Sequence, residues 1–211
     1  MSRLHYFFDP LCGWCYGIAP LIAAAEHLPG VEMRLHGGGL WPRPTILPPA
    51  MREKIRGYDA HLGRLTGQPH GKAYLEELLP SDRMVLDSAP TTAAVLAADT
   101  LRPGGGLVML RAIQRAHYIN GEHVVERETL LRLAIAEGFD PVAFGAARDA
   151  ADPEAHIAES QTLMRKLGVT GFPATFVEHR GSFTEISPQD YFANPGGYVA
   201  AIQASLSEPL H

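Results

Sequence analysis

Apolar residues open the chain as a short run, Leu4-His5-Tyr6-Phe7-Phe8, closed by Asp9-Pro10. A run of this length with a turn signal behind it reads as a buried strand. Past Cys12 the period changes. Ile18, Leu21, Ile22, Ala25 and Leu28 recur at helical spacing until Pro29-Gly30, which is a helix with its stop. Pro20 lies inside that helix, removes one backbone donor and predicts a kink. Val31, Met33 and Leu35 then alternate with Glu32, Arg34 and His36, the period of a half-buried strand. Gly37-Gly38-Gly39 ends it as a turn; no Gly-Lys-Ser/Thr follows to make a phosphate loop. Strand, helix, strand predicts a βαβ opening with parallel strands.

The middle of the chain is helical in pattern. Residues 49–66 carry Met51, Ile55, Tyr58, Leu62 and Leu65 at helical intervals and stop at Gly67. Ala89–Leu101 follows, with Ser88 as the expected N-cap and Pro90 in the first turn. Further helices are predicted over 107–120 and 128–137, then after Asp140-Pro141 and Asp152-Pro153, the last ending at Gly168. The period then returns to that of strands. Ala174–Glu178 and Ser182–Ile186 flank His179-Arg180-Gly181 and read as an antiparallel hairpin. A final helix after Asn194-Pro195 shows Tyr198, Val199, Ile202 and Leu206 on one face. The predicted order is β-α-β, a helical block, then β-β-α.

Composition narrows the function classes. With 211 residues, 46% of them hydrophobic, the chain suits one globular unit with a sizeable core and room for an inserted subdomain. Net charge is −5 with no run of five like charges, which disfavours nucleic acid or an anionic membrane as partner. No apolar stretch approaches the ~20 residues of a membrane span. The N-terminal segment is interrupted by His5, so it reads as a strand and not as an export signal, and the expected compartment is the cytoplasm.

The chain has two cysteines, Cys12 and Cys15, with Gly13-Trp14 between them. A structural disulfide stabilises by closing a long loop, and this loop is very short. The spacing therefore points to reactivity or metal binding. Zinc would need two more ligands. His5 and His36 are candidates, but no second Cys pair or spaced His pair supplies them. A redox pair is the leading reading, because Cys-x-x-Cys stands at the head of a helix in a βαβ unit. Cys12 at the helix start faces free N–H groups and the positive end of the dipole, which favours its thiolate. Cys15, one turn further in, is placed to be more buried and to resolve a mixed disulfide formed at Cys12.

Those residues carry a resemblance. Cys12-Gly-Trp-Cys15-Tyr-Gly-Ile-Ala-Pro20 resembles the thioredoxin active-site helix, and Val169-Thr-Gly-Phe-Pro173-Ala-Thr-Phe-Val177 is similar to the cis-proline loop and following strand of that superfamily. The helical block between them is similar in arrangement to that of the DsbA family. Phe8-Asp-Pro-Leu-Cys-Gly-Trp-Cys-Tyr-Gly17 resembles most its cytoplasmic members, described as protein-disulfide isomerases. The resemblance implies an α/β thioredoxin-like fold formed by residues 1–44 and 169–211, with an all-helical insertion over 45–168. It implies a thiol–disulfide oxidoreductase or isomerase acting on protein thiols and disulfides or on glutathione, with no metal or organic cofactor beyond the Cys12–Cys15 couple. Pro173, with a cis bond after Phe172, is expected beside the two sulfurs. Trp14, Phe172 and Trp41 are expected to shape the substrate groove, Phe172 as a bulky ring that narrows it or gives it an apolar floor. DsbA carries a histidine between its cysteines, whereas Gly13-Trp14 offers no cation, so a weaker oxidant is expected. Thioredoxin's buried acid has no clear equivalent; Asp9 is either a turn residue or a proton shuttle for Cys15. Arg43, His36 and His117 read as surface or packing residues. Two rivals remain: a glutathione-dependent transferase or isomerase of the kappa type, which uses Ser where Cys12 stands, and a redox-sensing, chaperone-like binding module.

Overall fold

The structure is a computed structural model that describes residues 2–207. The chain runs β1 (Ser2–Phe8), α1 (Gly13–Gly17), α2 (Ala19–Ala25), β2 (Val31–Gly37), β3 (Thr45–Ile46), α3 (Pro49–Thr66), β4 (Val85–Leu86), α4 (Ser88–Leu101), α5 (Gly105–Tyr118), α6 (Arg127–Ala136), α7 (Pro141–Ala150), α8 (Pro153–Leu167), β5 (Ala174–His179), β6 (Ser182–Glu185) and α9 (Pro195–Ser207). A π-helical turn spans Ala73–Leu78 and a 3₁₀ turn spans Pro188–Tyr191. No helix among the described residues is long and apolar enough to cross a membrane.

Four strands form one sheet in the order β2-β1-β5-β6. β1 pairs parallel with β2 and antiparallel with β5. β1 has a neighbour on both edges, which is why it tolerates an almost continuous apolar sequence. The buried polar His5 in its middle bonds His36 at 2.9 Å and Glu178 at 3.1 Å. The β5–β6 hairpin turns through Arg180 (φ 50) and Gly181 (φ 84), the positive dihedrals that match the strands' twist. Tyr198 of α9 donates to Thr175 Oγ1 at 2.9 Å and thereby ties that helix to β5.

The predicted kink is a full break. α1 and α2 separate at Ile18, two residues before Pro20. Proline has no N–H for the Tyr16 carbonyl, and Gln68 Nε2 supplies that donor at 3.0 Å. The missing bond of the helix is thus replaced by one from the loop after α3.

Two local expectations need correction. Asp87, not Ser88, caps α4 by accepting the Ala89 N–H; the Ser88 hydroxyl donates instead to Asp9 at 2.6 Å and accepts the Trp41 N–H. The two-residue strands β3 and β4, which pair antiparallel, had no counterpart in the pattern.

Candidate active site

The first turn of α1 begins at Cys12, which is its N-cap, with extended backbone. The Cys12 amide donates to the Asp9 carbonyl at 3.1 Å, and Cys12 Sγ accepts the Cys15 N–H at 3.4 Å. Both cysteines are free thiols. They differ less in overall exposure than expected, 5% for Cys12 and 0% for Cys15. The distinction lies in what each faces. Cys12 lines a cavity of about 330 Å³, whereas Cys15 does not. Burial pushes the Cys15 thiol well above its ordinary range, and the neighbouring Cys12 sulfur adds to the effect. A buried thiol with a high pKa is a poor first attacker.

Asp9 is fully buried and its carboxylate is occupied. Oδ1 accepts the Leu11 N–H at 2.9 Å; Oδ2 accepts the Leu40 N–H at 2.8 Å and the Ser88 hydroxyl. It therefore holds together the loop before Cys12, the loop after β2 and the start of α4. Burial raises its pKa, while those three bonds pull it back.

The Phe172–Pro173 bond is cis. The Phe172 carbonyl lies 3.9 Å from Cys12 Sγ, but its ring departs from expectation. The ring packs over Gly38, where a Cβ would lie 2.0 Å from Phe172 Cζ. It therefore does not floor the cavity at Cys12, and the backbone of this residue is what faces the thiol. A glycine is needed at position 38 for that close approach.

Trp14 and Trp41 both border the cavity that Cys12 opens into. Trp14 is 36% exposed and stacks on Phe192 with centroids 5.9 Å apart. Leu40, Leu47, Met51 and Leu86 continue the apolar wall. The sequence reading missed Asp59, the one carboxylate of that lining. It stands on α3 four residues after Ile55 and three before Leu62, so an acid on a buried stripe was the available signal. Arg43 is exposed, His36 stacks on Phe7, and His117 is buried against Tyr74 and Tyr118. His5 and His36 engage one another, and no cluster of three or more metal-binding side chains occurs among the described residues.

A model of the DSBA-like thioredoxin domain matches residues 3–194. The chain belongs to the DsbA-like thioredoxin family. It is thereby a disulfide oxidoreductase in kind. Its fold is similar to that of the cytosolic disulfide reductase DsbM from Pseudomonas aeruginosa, with 42% identity, 97% of this chain and 98% of the other covered, and a TM-score of 0.87. A second structure of DsbM, solved with GSH, aligns at 41% identity over 98% of this chain and 100% of that one, again with a TM-score of 0.87. A 2-hydroxychromene-2-carboxylate isomerase shares the fold at 12% identity, with 98% and 100% covered and a TM-score of 0.58. No curated protein sequence matches the chain at a significant level.

Proposed function

We propose that this DsbA-like protein is a cytoplasmic thiol–disulfide oxidoreductase that reduces disulfides of protein substrates and is recycled by glutathione. The observation that carries the reading is the placement of the two sulfurs: Cys12 caps the helix at the rim of an apolar cavity, and Cys15 lies buried behind it. Cys12 thiolate attacks one sulfur of a substrate disulfide, forming a mixed disulfide and releasing the other sulfur as a thiolate. Cys15, once deprotonated, attacks the Cys12 sulfur. The Cys12–Cys15 disulfide forms, the second substrate sulfur leaves, and two electrons have passed to the substrate. Two glutathione thiols then return the couple to its dithiol state and leave as glutathione disulfide. The similarity to DsbM, a cytosolic reductase also solved with GSH, supports the direction, the compartment and the reductant.

The Phe172 carbonyl beside Cys12 is the acceptor we assign to the substrate backbone, in the manner of an added strand. Pro173 follows it without an N–H donor of its own. Trp14 and Trp41 supply apolar contact to the segment that flanks the substrate cysteine. A kappa-type transferase would not need Cys15, and a redox-sensing binding module would still hold its clients after losing both thiols.

The test is trapping. Cys15→Ser, incubated with an oxidised protein substrate or with glutathione disulfide, accumulates a mixed disulfide at Cys12 that mass spectrometry localises. Cys12→Ser accumulates none. Exchange that survives loss of Cys12, or full turnover without Cys15, contradicts the proposal.

A further inference from the structure

Gly13 is the first residue between the cysteines, and another part of the molecule packs tightly against the place its side chain would fill. A Cβ at Gly13 would lie 3.2 Å from Asp59 Oδ1. Asp59 reaches this point from α3 in the helical block and is only 4% exposed. Its Oδ2 accepts the Tyr74 hydroxyl at 2.8 Å. Its Oδ1 faces Gly13, with His70 Nε2 3.7 Å away. That imidazole nitrogen is buried without a hydrogen-bond partner, and burial lowers the His70 pKa, so the ring is neutral near pH 7.

No Arg or Lys side chain bonds the carboxylate among the described residues. From α5, Tyr118 and His117 line the same cavity; His117 is held neutral by burial, its pKa lowered to about 3. From α3 itself, the Arg56 guanidinium donates to the Leu75 carbonyl and pairs with Glu53. On the active-site side stands Cys12, which shares the cavity with Asp59. A carboxylate thus stands against the residue that flanks the attacking cysteine. Charges that are poorly screened interact strongly.

We propose that Asp59 sets the direction of the redox couple: projected from the helical insert into the notch over Gly13, its negative charge opposes a thiolate at Cys12 and so favours the oxidised over the reduced active site. A couple whose reduced form is stabilised is an oxidant; one whose reduced form is opposed by charge donates electrons more readily. The helical insert thereby acts on the chemistry directly, through one side chain, in the space that a larger residue at position 13 would occupy. This inference rests on the redox reading of Cys12 and Cys15.

The experiment is the equilibrium of the full-length protein with reduced and oxidised glutathione at pH 8.0 and pH 5.0, for wild type, Asp59→Asn and Glu53→Gln. Asn keeps an oxygen to accept the Tyr74 hydroxyl. Asp59→Asn should favour the reduced protein about tenfold more than wild type at pH 8.0, equal to ~30 mV for a two-electron couple, with the difference shrinking at pH 5.0 as Asp59 protonates. Glu53→Gln, the same charge change on the same helix, should leave the equilibrium where it was. A folded Asp59→Asn protein with the wild-type equilibrium at both pH values overturns the inference, as does an equal shift in Glu53→Gln. If Asp59→Asn does not fold, wild type decides: the rate of Cys12 alkylation against pH must carry an inflection near pH 6, where burial places the Asp59 carboxyl, and its absence overturns the inference. If wild type fails to exchange with glutathione at all, the proposed function falls first, and the two failures are distinct.

Discussion

Cys12 Sγ accepts the backbone N–H of Cys15 at 3.4 Å, so the attacking sulfur is also the cap of the helix that carries its partner. The two thiols are therefore bound to different environments by one local bond. Cys12 opens on the apolar cavity, and Cys15 is closed off beneath it. Iodoacetamide at pH 7 should label Cys12 at least tenfold faster than Cys15 in the reduced protein, as read from the labelled peptides by mass spectrometry. Equal rates would contradict the division of roles.

Gly38→Ala tests the contact that aims the Phe172 backbone at the active site. The new methyl would fall 2.0 Å from Phe172 Cζ, so the ring must leave its seat. Overpacking of this kind costs about 1–3 kcal/mol, which lowers the melting midpoint by roughly 2–4 °C per kcal/mol in a chain of this size. Phe172→Leu in the same protein should restore part of the loss. A neutral Gly38→Ala would mean that the ring has room to spare.

Asp59 also has a signature in stability. Burial raises its folded pKa to about 6 from an ordinary 3.8. A carboxyl raised on folding stabilises the protein below its unfolded value, and that contribution is lost as pH rises through the folded one. Ionised Asp59 therefore costs on the order of 2–3 kcal/mol at neutral pH. Asp59→Asn should gain stability relative to wild type between pH 4 and pH 6.5 and hold the gain above it, as followed by urea unfolding at several pH values. A difference that does not vary with pH in that window would show that the charge is not the cause.

Much of this architecture was legible in the sequence. The strand at Leu4–Phe8, the alternation from Val31, the helix closed by Gly67 and the Arg180-Gly181 hairpin each follow from a local period with its own stop signal, and each stands in the structure. The Cys12–Cys15 pair was legible because its spacing and position in a βαβ unit carry the chemistry. What escaped was set by tertiary contact. β3 and β4 are too short to show a period. Ser88 looked like a cap, but Asp87 took that place and freed Ser88 to hold Asp9. The direction of the Phe172 ring depends on Gly38, which no local pattern connects to it. Asp59 lies on an apolar stripe, and only the packing of α3 against the active-site turn shows what it faces.

Trp14 gives a test of the substrate contact. Its ring is stacked on Phe192 yet partly exposed at the cavity rim. Trp14→Ala should raise KM for reduction of a protein disulfide several-fold while leaving the rate with a small disulfide substrate within about twofold, because only the larger substrate reaches the rim. An equal loss with both would point to damage at the sulfurs.

The most direct test of the Cys12–Cys15 redox couple is its reduction potential in wild type, measured by equilibration with glutathione redox buffers and quantified by acid quenching and thiol labelling. A single two-electron transition is expected, lost in both Cys12→Ser and Cys15→Ser, at a potential well below the about −120 mV of DsbA. A protein that does not equilibrate with glutathione, or one whose potential lies at or above that figure, would contradict the proposed function.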